Sequence, residues 1–288
     1  MFCCLSRETR ADLTNRDLEV MRAFAGLSAD QINTHIAMRL EEAELRNRLH
    51  QIIGKRDFDL VYQPIFASRD LAPCGIEALC RFRSMPYRPP NLWFEEAALA
   101  GLQIELEAAV IKAALPMLRI LPAHMYLSVN ACPETVASGR LREVFANVPG
   151  SRLLLEVTEH ARVENYDSLL SALKELRDMG IRLAIDDAGA GYSGLQHIIR
   201  LQPDVIKLDM SLTRDIDTDV VRRSLAGALV RFAEEIDAKI VAEGVETKPE
   251  MTVLKDLGVA LLQGYLLAKA MPAAELMASL ASLRKSSA

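Results

Sequence analysis

The 288-residue sequence predicts an α/β fold: a (βα)8 TIM-like barrel with an antiparallel first strand, preceded by an N-terminal helical segment. Short β-rich runs recur after Lys55, and most gaps between them are long enough for a crossover helix, as parallel strands require. The first two runs lie too close together for a crossover and predict a hairpin. No G-x-G-x-x-G turn follows the early strands, so nothing favours a dinucleotide-binding open sheet, the structural alternative.

Residues 1–54 read differently from the rest. Thr14 and Asp17 have capping-box spacing, and Leu13 and Leu18 flank them as a hydrophobic staple would. A helix with apolar residues at Leu18, Met21, Phe24, Ile32, Ile36, Leu40 and Leu49 is expected from there to about Ile53. It reads as a linker helix, paired with a second copy or folded onto the barrel. The barrel is expected over residues 55–285, on the runs Phe58–Phe66, Gly75–Phe82, Met125–Ala131, Arg152–Glu159, Arg182–Ala188, Val205–Met210, Lys239–Val245 and Ala260–Leu267.

Composition narrows the function. Half of the residues are hydrophobic and a quarter charged, which suits a chain with a substantial core. A net charge of −5 argues against DNA or RNA as partner, although a bound metal can invert the local field for an anionic small molecule. No run of about 18 apolar residues suggests a membrane span. The five cysteines show no metal-ligand spacing and read as reduced thiols of a cytoplasmic protein.

Strand side chains alternate between faces, so parity separates the inward from the outward residues. Asp186 shares a face with Ala184, Glu156 with Leu154, Glu77 with Leu79 and Arg81, Asn130 with Ser128, Lys207 with Asp209, and Glu243 with Val241. Asp187 falls where its strand breaks into a loop, and Gln263 comes from the last strand. Each acid alone is most simply a helix N-cap or a surface charge. Together, at the same end of consecutive strands, they repel one another and require a cation. Oxygen-only ligands point to Mg2+ or Mn2+. Asp186 would bridge two ions and Asp187 complete the second site, an arrangement suited to in-line displacement at a phosphodiester.

These residues fall in ordered motifs: Tyr62-Gln-Pro-Ile, Glu77-Ala-Leu-Cys-Arg81, Ser128-Val-Asn130, Glu156-Val-Thr-Glu159, Asp186-Asp187, Lys207-Leu-Asp209, Glu243-Gly-Val-Glu246 and Gln263-Gly-Tyr265. Through them the chain resembles the EAL-domain cyclic di-GMP phosphodiesterases over nearly all of residues 55–285. The resemblance implies hydrolysis of cyclic di-GMP to linear 5′-pGpG in second-messenger signalling, with Mg2+ or Mn2+, and commonly a homodimer. It implies Glu77, Asn130, Glu156, Asp186, Asp187 and Asp209 around the metals. Lys207 and Glu243 are implied at the attacking water, and Glu159 as the residue steadying the loop after Asp187. Gln63, Leu79, Arg81 and Gln263 are implied at the substrate. A cyclic di-GMP receptor without turnover is the alternative, although such a receptor is expected to lack some of these groups. Where the family usually has Phe-Gly-Thr-Gly after the Asp pair, this chain has Ala188-Gly189-Ala190-Gly191. Met1–Ser6 followed by Thr14–Ser28 resembles the last strand and helix of a GAF domain.

Overall fold

The computed structural model describes residues 14–158, 165–188 and 198–286, and their side chains apart from 187, 188 and 284–286. The Met1–Ser6 strand, Glu159 and the loop 189–197 therefore lie outside the described residues, and Asp187 is described by its backbone only.

The first element among the described residues is α1 (Asn15–Lys55), and the expected capping box is present: Asp17 N–H donates to Thr14 Oγ1 at 3.3 Å, and Thr14 N–H to Asp17 Oδ2 at 2.9 Å. Strands β1 (Phe58–Ala67) and β2 (Pro73–Phe82) form the expected antiparallel hairpin, with Phe58 opposite Phe82 and Gln63 opposite Glu77. From β2 the sheet proceeds in parallel through β3 (Tyr126–Ala131), β4 (Leu153–Val157), β5 (Arg182–Ala188), β6 (Val205–Leu208), β7 (Lys239–Ala242) and β8 (Leu261–Leu262). β8 then pairs antiparallel with β1, which closes the barrel and disposes of the open sheet. A two-residue strand, β9 (Met271–Pro272), occupies the remaining edge of β1.

Helices α2 (Pro90–Leu99) and α3 (Gln103–Ala114) follow β2; α4 (Pro133–Ala137) and α5 (Arg140–Phe145) follow β3; α6 (Tyr166–Asp178) follows β4. The short α7 (Met210–Thr213) and the longer α8 (Val220–Glu235) join β6 to β7, α9 (Lys248–Asp256) leads to β8, and α10 (Ala273–Ser286) follows β9.

Several strands are shorter than expected because the chain turns immediately above the sheet. Gly244 takes φ 63°, a left-handed conformation that glycine adopts without a side-chain penalty, and ends β7 early. After β8 the chain coils into a turn held by Leu266 N–H to Val245 O at 3.0 Å and Ala268 N–H to Gly264 O at 3.0 Å. β5 keeps its expected bounds, but its register against β6 shifts between Ile185 and Ala188, around the Asp pair.

Strand alternation sorts the core. Inside the barrel, Ile65, Tyr126, Leu154, Ala184, Val205 and Val241 form one apolar layer. Outward residues such as Leu155, Leu183, Ile185 and Ile206 pack under the helices. A separate cluster joins the end of α1 to the hairpin: Leu49 and Ile52 bury against Phe58, Phe82, Trp93 and Leu106. Arg48 stacks 5.5 Å from the Trp93 ring centroid and pairs with Glu96 at 3.6 Å. The described cysteines, Cys74, Cys80 and Cys132, are free, and burial pushes the Cys80 thiol up to about 12. Among the described residues no helix is long and apolar enough to cross a membrane.

The last turns of α1 thus belong to the packed body. Leu49→Ala is expected to lower unfolding stability by about 2–5 kcal/mol in chemical denaturation, the range for emptying a buried leucine site. Deletion of residues 1–42 should leave the folded circular-dichroism signature intact. A Leu49→Ala effect within error of wild type would show that α1 does not pack as described.

Candidate active site

The apolar layer inside the barrel is the floor of the site. Two residues further along the same strands, the inward positions change from hydrocarbon to charge: Leu154 gives way to Glu156, Ala184 to Asp186, Val205 to Lys207 and Val241 to Glu243. On β2 and β3 the same level carries Glu77 and Ser128, which are paired in register. On the antiparallel β1 it carries Gln63.

Lys207 stands at the centre. Its side chain is 2% exposed, and its Nζ lies 2.5 Å from Glu156 Oε2, 2.6 Å from Glu243 Oε1, 3.0 Å from Asp186 Oδ1 and 3.7 Å from Glu77 Oε2. One ammonium therefore serves four carboxylates, leaving three negative charges uncompensated when all are ionised. Neutral donors reduce the strain on two of them. Asn130 Nδ2 donates to Glu77 Oε1 at 2.9 Å and Gln263 Nε2 to Glu77 Oε2 at 2.7 Å. The Ser128 hydroxyl donates to Glu156.

The protonation preferences follow from these contacts. Burial opposes the Lys207 charge, but Asp186, Glu156, Glu243 and Glu77 outweigh it and hold the ammonium well above its ordinary value. Burial also opposes the Glu77 charge, yet Lys207, Asn130 and Gln263 keep its carboxyl below the usual range. Glu156 goes the other way: burial and the neighbouring Glu77 raise it well above the usual range, against the pull of Lys207. Glu243 is raised to about 8 by burial and by Asp186 and Glu77, with Lys207 opposing.

Above this cluster opens a cleft of about 430 Å3 lined by Gln63, Leu79, Asp209 and Gln263 together with Glu77, Asp186, Lys207 and Glu243. Gln263 Nε2 also reaches Gln63 Oε1 at 3.3 Å, while the buried Gln263 Oε1 has no hydrogen-bond partner. Asp209 lines the cleft and also caps α7, its Oδ1 accepting from Ser211 N–H at 2.8 Å. Arg81 borders an adjoining hollow of about 330 Å3, and its Nη1 donates to Cys80 O at 2.7 Å. Among the described residues, no three acid, His or Cys side chains converge on a preformed metal position; the acids converge on Lys207 instead.

Three residues in or beside the site, Met210, Gly244 and Glu107, were given no role of their own in the sequence. Met210 and Gly244 face each other across the cleft wall, where a Cβ on Gly244 would come within 2.6 Å of Met210 Cβ. Glycine directly after an inward acid was the available signal. Glu107 on α3 is buried and accepts from Cys132 N–H at 2.9 Å, tying α3 to the start of α4. An acid in the middle of a helix carries no such signal.

Cyclic di-GMP phosphodiesterase NbdA of Pseudomonas aeruginosa is 32% identical over 248 residues, 82% of this chain and 32% of NbdA. The structure of the MucR phosphodiesterase with c-di-GMP is similar at TM-score 0.72 and 30% identity, over 81% of this chain and 99% of that one. The manganese and cy-diGMP complex of Klebsiella pneumoniae BlrP1 is similar at TM-score 0.65 and 32% identity, over 75% of this chain and 56% of that one. The chain spans about a third of the length of NbdA and of the bifunctional MucR of the same organism. Residues 43–270, well over half of the sequence, match the family model described as EAL domain, and the chain belongs to that family.

Proposed function

We propose that the chain hydrolyses cyclic di-GMP to linear 5′-pGpG as a divalent-metal-dependent phosphodiesterase. The observation that carries this reading is the buried Lys207 ammonium shared by four carboxylates at the mouth of an EAL barrel. The presence of Glu77, Asn130, Glu156, Asp186, Lys207 and Glu243 in one constellation favours turnover over binding alone.

The residues present suit a divalent cation. Their donors are all oxygen, and a hard cation would offset both the burial and the neighbouring acids that raise Glu156 and Glu243. Glu77, Asn130, Glu156, Asp186, Asp187 and Asp209 would hold Mg2+ or Mn2+ in a two-metal site. When bound, the ions would neutralise the phosphodiester and stabilise charge on the attacking and leaving oxygens.

The chain's own groups supply the rest. Lys207 is held as an ammonium, so it orients the acids and the attacking water and does not act as a base. Glu243, at the rim with a fifth of its side chain exposed, accepts the water proton. Water oxygen bonds to phosphorus, the bond from phosphorus to the ribose 3′ oxygen breaks, that oxygen takes a proton from solvent to leave as the 3′ hydroxyl, and Glu243 returns its proton to solvent. Gln63, Leu79, Arg81 and Gln263 position the nucleotide; the unpartnered Gln263 Oε1 can accept from a base N–H, and the Arg81 guanidinium can bond two oxygens at once. Glu159 would steady the loop after Asp187. The setting proposed is cytoplasmic second-messenger signalling by a homodimer, with no DNA or RNA partner; the free cysteines support the compartment.

Incubation with cyclic di-GMP and Mn2+ should yield pGpG by chromatography, and excess chelator should abolish it. Tight binding without any pGpG would overturn the hydrolase reading and favour a receptor. Glu243→Gln should lower kcat by about 100-fold or more, the range for losing a general base, while the dissociation constant for cyclic di-GMP changes little. An unchanged kcat would remove Glu243 from the reaction.

Metal binding should also release protons. Glu243, raised to about 8, is largely protonated at neutral pH in the metal-free protein. A cation favours the ionised form, so metal affinity should rise as pH increases toward 8. Calorimetry in buffers of different ionisation enthalpy measures the proton count, and a count of zero at pH 7 would contradict this account.

A further inference from the structure

Glu243 stands just outside the sheet. β7 ends at Ala242, and Glu243 begins a segment, residues 243–247, that leads into α9. Its main chain is tied to its neighbours on several sides. Glu243 N–H donates to Leu208 O at 3.1 Å, and Val245 N–H to Gln263 O at 3.1 Å. Glu243 O accepts from the hydroxyl of Thr213, a fully buried side chain at the end of α7. Gly244 approaches α7 so closely that a Cβ there would stand 2.6 Å from Met210 Cβ and 3.7 Å from Thr213 Oγ1.

The buried carboxylate of Glu250, on α9, joins the same two parts of the chain. Its Oε2 accepts from Glu246 N–H at 3.0 Å and from Thr247 N–H at 2.9 Å. Its Oε1 accepts from Asp215 N–H at 3.0 Å, two residues past α7. Burial opposes the Glu250 charge, but these three amides keep the carboxyl below its usual range. Arg214 and Glu246 add an exposed ion pair at 3.1 Å between the two parts, a contact of small energetic weight.

We propose that Thr213 and Glu250 are positioning residues that clamp segment 243–247 to α7 and so fix Glu243 relative to Asp209. The inference rests on the reading of Glu243 as the base. Neither Thr213 nor Glu250 borders the cleft, so both act through Glu243 and not on the nucleotide. α7 has only four residues: Asp209 caps its start and lines the cleft, while Thr213 ends it against Glu243. One short helix therefore spans the distance between an acid expected at the metals and the acid expected at the water. The Lys207 ammonium, 2.6 Å from Glu243 Oε1, is shared with other acids and attracts the carboxylate without fixing its main chain. That task falls to the hydroxyl and the carboxylate beneath the turn.

Thr213→Val keeps the shape of a buried side chain and removes its donor to Glu243 O. It should lower kcat about tenfold, with KM and the dissociation constant for cyclic di-GMP within about twofold of wild type, because a small misplacement of a reacting group acts on rate. Thr213→Ser returns a hydroxyl and should recover most of the loss. Glu250→Gln replaces one acceptor oxygen by an amide NH2 facing N–H donors, and should lower kcat in the same way. Thr252→Val, which removes an exposed hydroxyl bonded to Lys248 O on α9, should not.

Hydrogen exchange followed by mass spectrometry reads the clamp without turnover. In Thr213→Val the amides of residues 243–247 should exchange at least about tenfold faster, with peptides of β3 and β4 and the thermal transition unchanged. Should Thr213→Val not fold, Glu250→Gln carries both measurements. Unchanged kcat in both variants, a loss that Thr213→Ser does not recover, or unaltered exchange over residues 243–247 would each overturn the proposal. A wild type that makes no pGpG would instead remove the reading of Glu243 as the base, and exchange alone would then decide whether the clamp exists.

Discussion

The buried contact between Lys207 and its four carboxylates governs the upper half of the barrel. Removing an ammonium or a carboxylate from water costs several kcal/mol per ion unless its partners are well placed. Here the partners come from β2, β4, β5 and the residue just after β7, so one atom on β6 ties four other parts of the sheet together. The apolar layer of Ile65, Tyr126, Leu154, Ala184, Val205 and Val241 beneath it keeps water from relaxing the cluster from below. Relief can come only from the cleft side.

The same contact divides the acids by role. Glu77 is surrounded by donors and stays charged, whereas Glu156 and Glu243 share the remaining shortage of positive charge. A cluster whose members differ in this way can take up or release protons without moving its backbone. The neutral donors Asn130, Ser128 and Gln263 matter for this reason: they stabilise charge on particular oxygens and add none of their own.

The fold was legible wherever strand alternation met a chemical contrast. Ala184 and Asp186, or Val241 and Glu243, fall on one face as soon as their strands are recognised, and the structure puts the members of each pair in successive layers. The short loop between β1 and β2 sufficed to give the antiparallel hairpin. Strand lengths were less legible, because Gly244 and the turn after β8 end the ladder through backbone geometry that an apolar run does not reveal. Buried polar groups away from the strand ends were also hidden. Arg152 donates to the carbonyls of Leu118, Leu121, Pro122 and Met125, a role that depends on where the preceding loop folds back. Asp209 shows both readings at once, being a helix cap that also lines the cleft.

The reversed direction of β1 decides where α1 is attached. In a barrel with every strand parallel, a segment preceding β1 would arrive beneath the floor, away from the chemistry. Here Phe58, the first residue of β1, lies opposite Phe82, the last residue of β2, at the end where the charged side chains gather. The end of α1 is wedged beside that junction through Leu49, Ile52 and the stacking of Arg48 on Trp93. The end of the long helix and the opening of the cleft therefore lie on the same side of the barrel, and any tilt of that helix would act beside the rim.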